Sequence, residues 1–223
     1  MESAIPFNRP CLAGDEMTYV AQALTNGHCS AKGPFTERVV ELLGFKLGAP
    51  DILLTTSCTD ALEMAAMLLE LGPGDVVIVP SFTFTSTVTA FVRQGAKVRF
   101  CDIKIPSLGL DPDHVEESMD EQVKAIVTVH YAGVASDVVR LRSIADQWGV
   151  PLIEDNAHGL FAEHAGTQLG RFGQLSTLSF HETKNFICGE GGALVINDTI
   201  FTDRAHILLD KGTNRRQFLE GTT

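Results

Sequence analysis

The chain has 223 residues, 44% hydrophobic and 20% charged. This is ordinary globular usage, which excludes a disordered chain and allows one large domain, or two small ones, with a sizeable core. Its 17 Lys and Arg against 28 Asp and Glu leave a net charge of −11, a poor match for nucleic acid or a membrane surface, although a local basic spot can still hold a small phosphate.

Two helical stretches open the chain, at residues 15–24 and 36–47. Short apolar, β-branched runs then alternate with amphipathic stretches. The runs at 52–55, 76–79, 98–101, 125–129, 152–154, 175–180 and 193–196 predict buried strands. The stretches at 59–71, 86–94, 111–119 and 137–148 predict helices between most of them, with Gly and Pro at the junctions 72–74 and 149–151. Strands alternating with helices predict an α/β domain with a mostly parallel sheet flanked by helices on both faces. No run reaches the roughly 18 apolar residues of a membrane span, and residues 1–10 lack the basic-then-apolar order of a signal peptide. The five cysteines, Cys11, Cys29, Cys58, Cys101 and Cys188, are odd in number, far apart and without a C-x-x-C pair. They read as isolated thiols in a reducing cytoplasm. The histidines have no metal-ligand spacing, so no metal site is expected.

In parallel sheets, ligands bind at the carboxyl ends of the strands. The polar residues of this chain follow the apolar runs accordingly. Lys184 comes after the strand at 175–180 and before Gly189, Gly191 and Gly192. A lysine there is either a solvated amine or, if crowded and partly desolvated, an amine nucleophile. Asp155 ends the run at 152–154 and is either a helix N-cap or the charge partner of a pyridinium nitrogen. Ser57, Cys58 and Thr59 open a helix after the first strand. Its free amides either receive an N-cap or hold an anion such as phosphate. Phe84 is a core aromatic or a ring-stacking one. His158 and His181 are structural histidines or donors to a cofactor oxygen. The glycines at 189–192 miss G-x-G-x-x-G, so no dinucleotide fingerprint is present.

In chain order, S-C-T-x-x-L from Ser57, P-S-F-T-F from Pro80, E-D-N-A-H-G from Glu154, S-F-H-E-T-K-N from Ser179 and G-E-G-G from Gly189 form a set. This set resembles the DegT/DnrJ/EryC1/StrS sugar aminotransferases, from residue 5 to about residue 218. The resemblance implies the large domain of the type I fold that uses pyridoxal 5'-phosphate. It implies that Lys184 binds the cofactor aldehyde and moves the proton, that Asp155 partners the ring nitrogen, that Ser179, Cys58 and Thr59 bind the phosphate, and that Phe84 stacks on the ring. His158 takes a position that is often Gln and approaches the phenolic oxygen. Asn156 stands where many members have Ala. Lys184 sets the chain apart from the related sugar dehydratases, which have histidine in its place.

The implied reaction moves an amino group, with glutamate as the expected donor, to the 4-keto group of a nucleotide-linked 6-deoxyhexose, giving dTDP-4-amino-4,6-dideoxygalactose. A cytoplasmic homodimer is implied, and Lys211, Arg215 and Arg216 are candidates for the sugar diphosphate. Family members continue into a second, smaller domain. Residues 1–223 are therefore expected to be the cofactor-binding large domain with the small domain missing. The alternative is a non-catalytic remnant that keeps the fold and binds the cofactor.

Overall fold

A computed structural model describes residues 5–6, 8–28 and 30–221. Two helices come first, α1 (Glu16–Thr25) and α2 (Pro34–Leu47), then β1 (Asp51–Thr55). Next come α3 (Cys58–Leu68), β2 (Val76–Pro80), α4 (Ser86–Val92), β3 (Lys97–Cys101), α5 (Pro112–Glu117) and β4 (Val123–Val129). They are followed by α6 (Val138–Trp148), β5 (Leu152–Asp155), the small hairpin of β6 (Glu163–His164) and β7 (Thr167–Gln168), β8 (Leu175–Ser179), β9 (Gly192–Ile196), α7 (Thr202–Leu209) and α8 (Arg215–Glu220). Each predicted strand and helix forms, with ends shifted by up to three residues. The hairpin, α7 and α8 carry too little periodicity to have been predicted.

The main sheet runs β1-β9-β8-β5-β4-β2-β3. Strands β3, β2, β4, β5 and β8 pair in parallel, and β9 lies antiparallel between β8 and β1. Side chains alternate across the sheet, so each strand feeds two cores. Val77, Val79, Ala125, Val127, Ile153 and Leu194 pack with Ala61, Leu62, Ala65 and Ala66 of α3 and with Phe91 of α4. Their neighbours Val76, Ile78, Ile126 and Leu152 pack on the opposite face with Val115 of α5 and with Val138, Leu141 and Ile144 of α6. Small alanines at i, i+4 and i+5 let α3 lie close to the strands. Burying each large aliphatic side chain contributes roughly 2 kcal/mol against the entropy of ordering it.

The helix ends follow local chemistry. Ser57 caps α3 by accepting from the Asp60 amide at 3.1 Å. Pro34 opens α2, and Gly48 closes it at φ 65°, a left-handed conformation that only glycine adopts without cost. By contrast α1 buries none of its residues. Among the described residues no helix is long and apolar enough to cross a membrane.

Candidate active site

Topology brings the polar residues together. Asp155 is the last residue of β5, and Ser179 is the last residue of β8. Because β9 runs antiparallel beside β8, a loop rather than a crossover helix joins them. That loop, residues 180–191, must lie at the carboxyl end of β8, and it carries Lys184. It is built on its own backbone. The Glu182 amide donates to the Gly189 carbonyl at 3.0 Å, the Cys188 amide to Phe180 at 2.8 Å and the Lys184 amide to His181 at 2.9 Å. His181 is spent within it: Nδ1 meets the Thr183 amide at 3.2 Å and the Thr183 hydroxyl at 2.9 Å, while Nε2 lies 3.4 Å from Glu190. These contacts favour the structural reading of His181.

At the start of α3, Ser57 takes the capping role, which leaves the amides of Cys58 and Thr59 without a partner inside the helix. The Thr59 hydroxyl lies 2.8 Å from that of Ser86, at the start of α4. The first residue of β9, Gly192, pairs with Ser179 and runs so close to the helix start that any Cβ there would collide with the backbone of Ser57 and Cys58. Two orphan amides, the positive end of the α3 dipole and the hydroxyls of Thr59 and Ser86 gather at this helix start, with Ser179 on the strand paired to Gly192, an arrangement whose chemistry suits a small anion. The Cys58 thiol points elsewhere, donating to the Thr177 hydroxyl at 3.4 Å. Burial, and then the charge of Asp155, push it well above the ordinary thiol range, so it is a packing group and not a thiolate.

Asp155 is buried and held at both oxygens. Oδ2 accepts from the Thr87 hydroxyl at 2.7 Å, and Oδ1 accepts from the Ala157 amide at 3.2 Å. Thr87 itself accepts from Thr83 at 2.8 Å, so its single proton is committed to Asp155. No helix follows Asp155, which removes the N-cap alternative. Asp155 pairs with Thr177 of β8, whose hydroxyl meets Cys58, so the carboxylate, the start of α3 and the strand that leads into the Lys184 loop are neighbours. Half-buried His158 accepts from the Ala132 amide on Nδ1 at 3.1 Å. Burial, and then the Lys184 charge, hold its ring below the ordinary histidine range against the opposing pull of Asp155. Phe84 stands 76% exposed just ahead of α4, a large apolar face with no core to pack on.

Asn156 also gains an account: it is fully buried, its Nδ2 donates to Leu169 at 2.9 Å, and it packs against Gly159 and Gly170. Lys211 and Arg215 are exposed after α7, and the Arg216 side chain and Cys29 lie outside the described residues. The four described cysteines are free. Sequence reasoning missed Thr83, Thr87, Ser86 and Ala132. Threonines and an alanine have no signature in one dimension, and only their partners across the fold give them roles.

The DegT/DnrJ/EryC1/StrS aminotransferase family matches residues 10–222. Among solved structures, 3-amino-5-hydroxybenzoic acid synthase is 33% identical, with a TM-score of 0.86 over 92% of this chain and 54% of that one. The aminotransferase TlmJ from Streptoalloteichus hindustanus is 31% identical, with a TM-score of 0.90 over 95% and 58%. Spr1654 from Streptococcus pneumoniae in its PLP form is 29% identical, with a TM-score of 0.82 over 91% and 55%. The chain spans about half the length of the solved relatives it matches.

Proposed function

The chain belongs to the DegT/DnrJ/EryC1/StrS aminotransferase family, and from that premise we propose that it forms the pyridoxal-phosphate-binding large domain of a sugar aminotransferase. The observation that carries this reading is the topology, which sets Asp155 at the end of β5, Ser179 and the Lys184 loop at the end of the neighbouring β8, and the start of α3 beside Gly192 of β9. The start of α3, whose chemistry suits an anion, supports it. So does Asp155, whose carboxylate retains acceptor capacity beyond its two partners.

When bound, the cofactor supplies an electron sink for a carbanion. The residues supply its placement. The amides of Cys58 and Thr59, with the hydroxyls of Thr59 and Ser179, would hold its phosphate. Asp155, oriented by Thr87, would face the ring nitrogen and favour its protonated form. Phe84 would cover one face of the ring and exclude water from it. His158 would donate to the phenolic oxygen. The Lys184 amine would hold the cofactor through its aldehyde and, once the amino-acid donor's amine displaces it, would serve as the base and acid that moves protons between the reacting carbons.

The substrates proposed are glutamate and the 4-keto group of a nucleotide-linked 6-deoxyhexose, with dTDP-4-amino-4,6-dideoxygalactose as product for a surface polysaccharide. The proposed setting is a cytoplasmic homodimer. The free, exposed thiols of Cys11 and Cys188 suit a reducing compartment.

Incubation with pyridoxal phosphate is expected to give a visible absorbance band that borohydride fixes onto Lys184. Lys184→Ala should abolish the band and change unfolding stability by no more than about 1 kcal/mol, as expected of a partly buried side chain. Persistence of the band in the variant overturns the assignment.

A further inference from the structure

After β4 the chain makes a tight turn, Tyr131–Gly133, whose central Ala132 sits at φ 54°, ψ 22°. A residue with a Cβ rarely takes this left-handed conformation and keeps it only where its surroundings hold it. Here they do. The Tyr131 and His158 rings pack edge to face with centroids 5.3 Å apart, and Phe82 packs edge to face with Tyr131 at 4.9 Å. Gly133, at φ 76°, comes so near the next loop that a Cβ would sit 3.2 Å from the His158 carbonyl. The consequence of the strained geometry is that the Ala132 N–H points at His158 Nδ1, 3.1 Å away.

An N–H facing Nδ1 leaves no room for a second hydrogen there. It disfavours both the Nδ1–H tautomer and the doubly protonated ring, and leaves the proton on Nε2. The charged groups acting on the ring are Lys184, which opposes a further proton, and Asp155, which favours one; burial adds to the effect of Lys184.

We propose that the Tyr131–Gly133 turn is a tautomer lock for His158. The Ala132 amide holds Nδ1 as an acceptor, so that Nε2–H is a fixed hydrogen-bond donor at the end of the sheet that carries Asp155 and the Lys184 loop. Ala132 is thus a positioning residue acting through its backbone. The lock allows an imidazole to behave as a carboxamide does, offering an N–H at all times. That the acceptor is an oxygen of the cofactor rests on the function proposed above; the lock itself does not.

The test uses the cofactor-free chain with ¹⁵N-labelled histidine and long-range ¹H–¹⁵N correlation spectra. His158→Gln identifies the ring by removing its signals. The expected spectrum is one neutral form protonated on Nε2. Ala132→Gly, which tolerates positive φ, should preserve it. Ala132→Val, whose branched side chain does not, should turn the amide away and yield a mixture of tautomers. A wild-type ring protonated on Nδ1 or averaged over both nitrogens overturns the lock, and this holds even if the valine variant fails to fold. A folded valine variant with an unchanged spectrum also overturns it. Pyridoxal phosphate is then added. A shift at Nε2 supports the donor role, and binding seen by absorbance without such a shift overturns that role. Absence of binding overturns the proposed function while the tautomer result still decides the lock.

Discussion

Glu154 and Asp155 are neighbours in β5, yet the pleat sends them to opposite faces and into two different regions. Glu154 is fully buried on the α5–α6 side. One oxygen accepts from His130 Nε2 and the Gly170 amide, both at 2.8 Å, and the other from the amides of Phe172 at 2.7 Å and Gly173 at 2.6 Å. His130 is oriented in turn by the Ser136 amide on Nδ1 at 3.3 Å. A carboxylate has about four acceptor positions, and here all are filled. Asp155, on the α3–α4 side, has two partners and lies at the open end of the sheet. Burial and charge are common to both. Unfilled hydrogen-bonding capacity distinguishes the group that can act on a ligand from the group that ties the 170–173 turn to the sheet.

This contrast can be broken from either side. Glu154→Gln sets an NH₂ against backbone N–H groups that have no other acceptor. It should cost about 3 kcal/mol in urea unfolding, and a loss below about 1 kcal/mol would deny Glu154 its structural role. Thr87→Val removes one of the two partners of Asp155 and strands the Thr83 hydroxyl. A loss of about 2 kcal/mol is expected, together with weaker pyridoxal phosphate binding, while Thr87→Ser should restore both. Asp155→Asn keeps the shape and should stay within about 1 kcal/mol of wild type. The same variant should lose the visible band that the wild type gives with pyridoxal phosphate; a normal band would remove the ring-nitrogen role.

The smallest effect is a pH slope. The folded His158 ring titrates below its ordinary value of 6.5, so the unfolded chain binds more protons over that window. Its contribution to stability is present above about pH 6.5 and is lost as pH falls through the lowered folded value. His158→Gln should flatten the slope of stability against pH there by less than one proton, and an unchanged slope would show that the ring is not held neutral.

Much of this was legible in one dimension. Period-two and helical patterns located the strands and most helices, because burial repeats with the geometry of each element. Strand ends located Lys184, Asp155, Ser179 and the Ser57–Thr59 turn, since a parallel sheet must present its ligands there. The assignment of Lys184 and Asp155 to one site was carried by motif order alone and by no local signal.

Composition, periodicity and strand-end chemistry determined the α/β class and the residues worth watching, because these depend on near neighbours along the chain. Which carboxylate is saturated, which serine caps α3 and which amide faces His158 depend on residues dozens of positions apart. Hydrogen bonds act over about 3 Å, so only the packed fold could decide where each donor and acceptor was used.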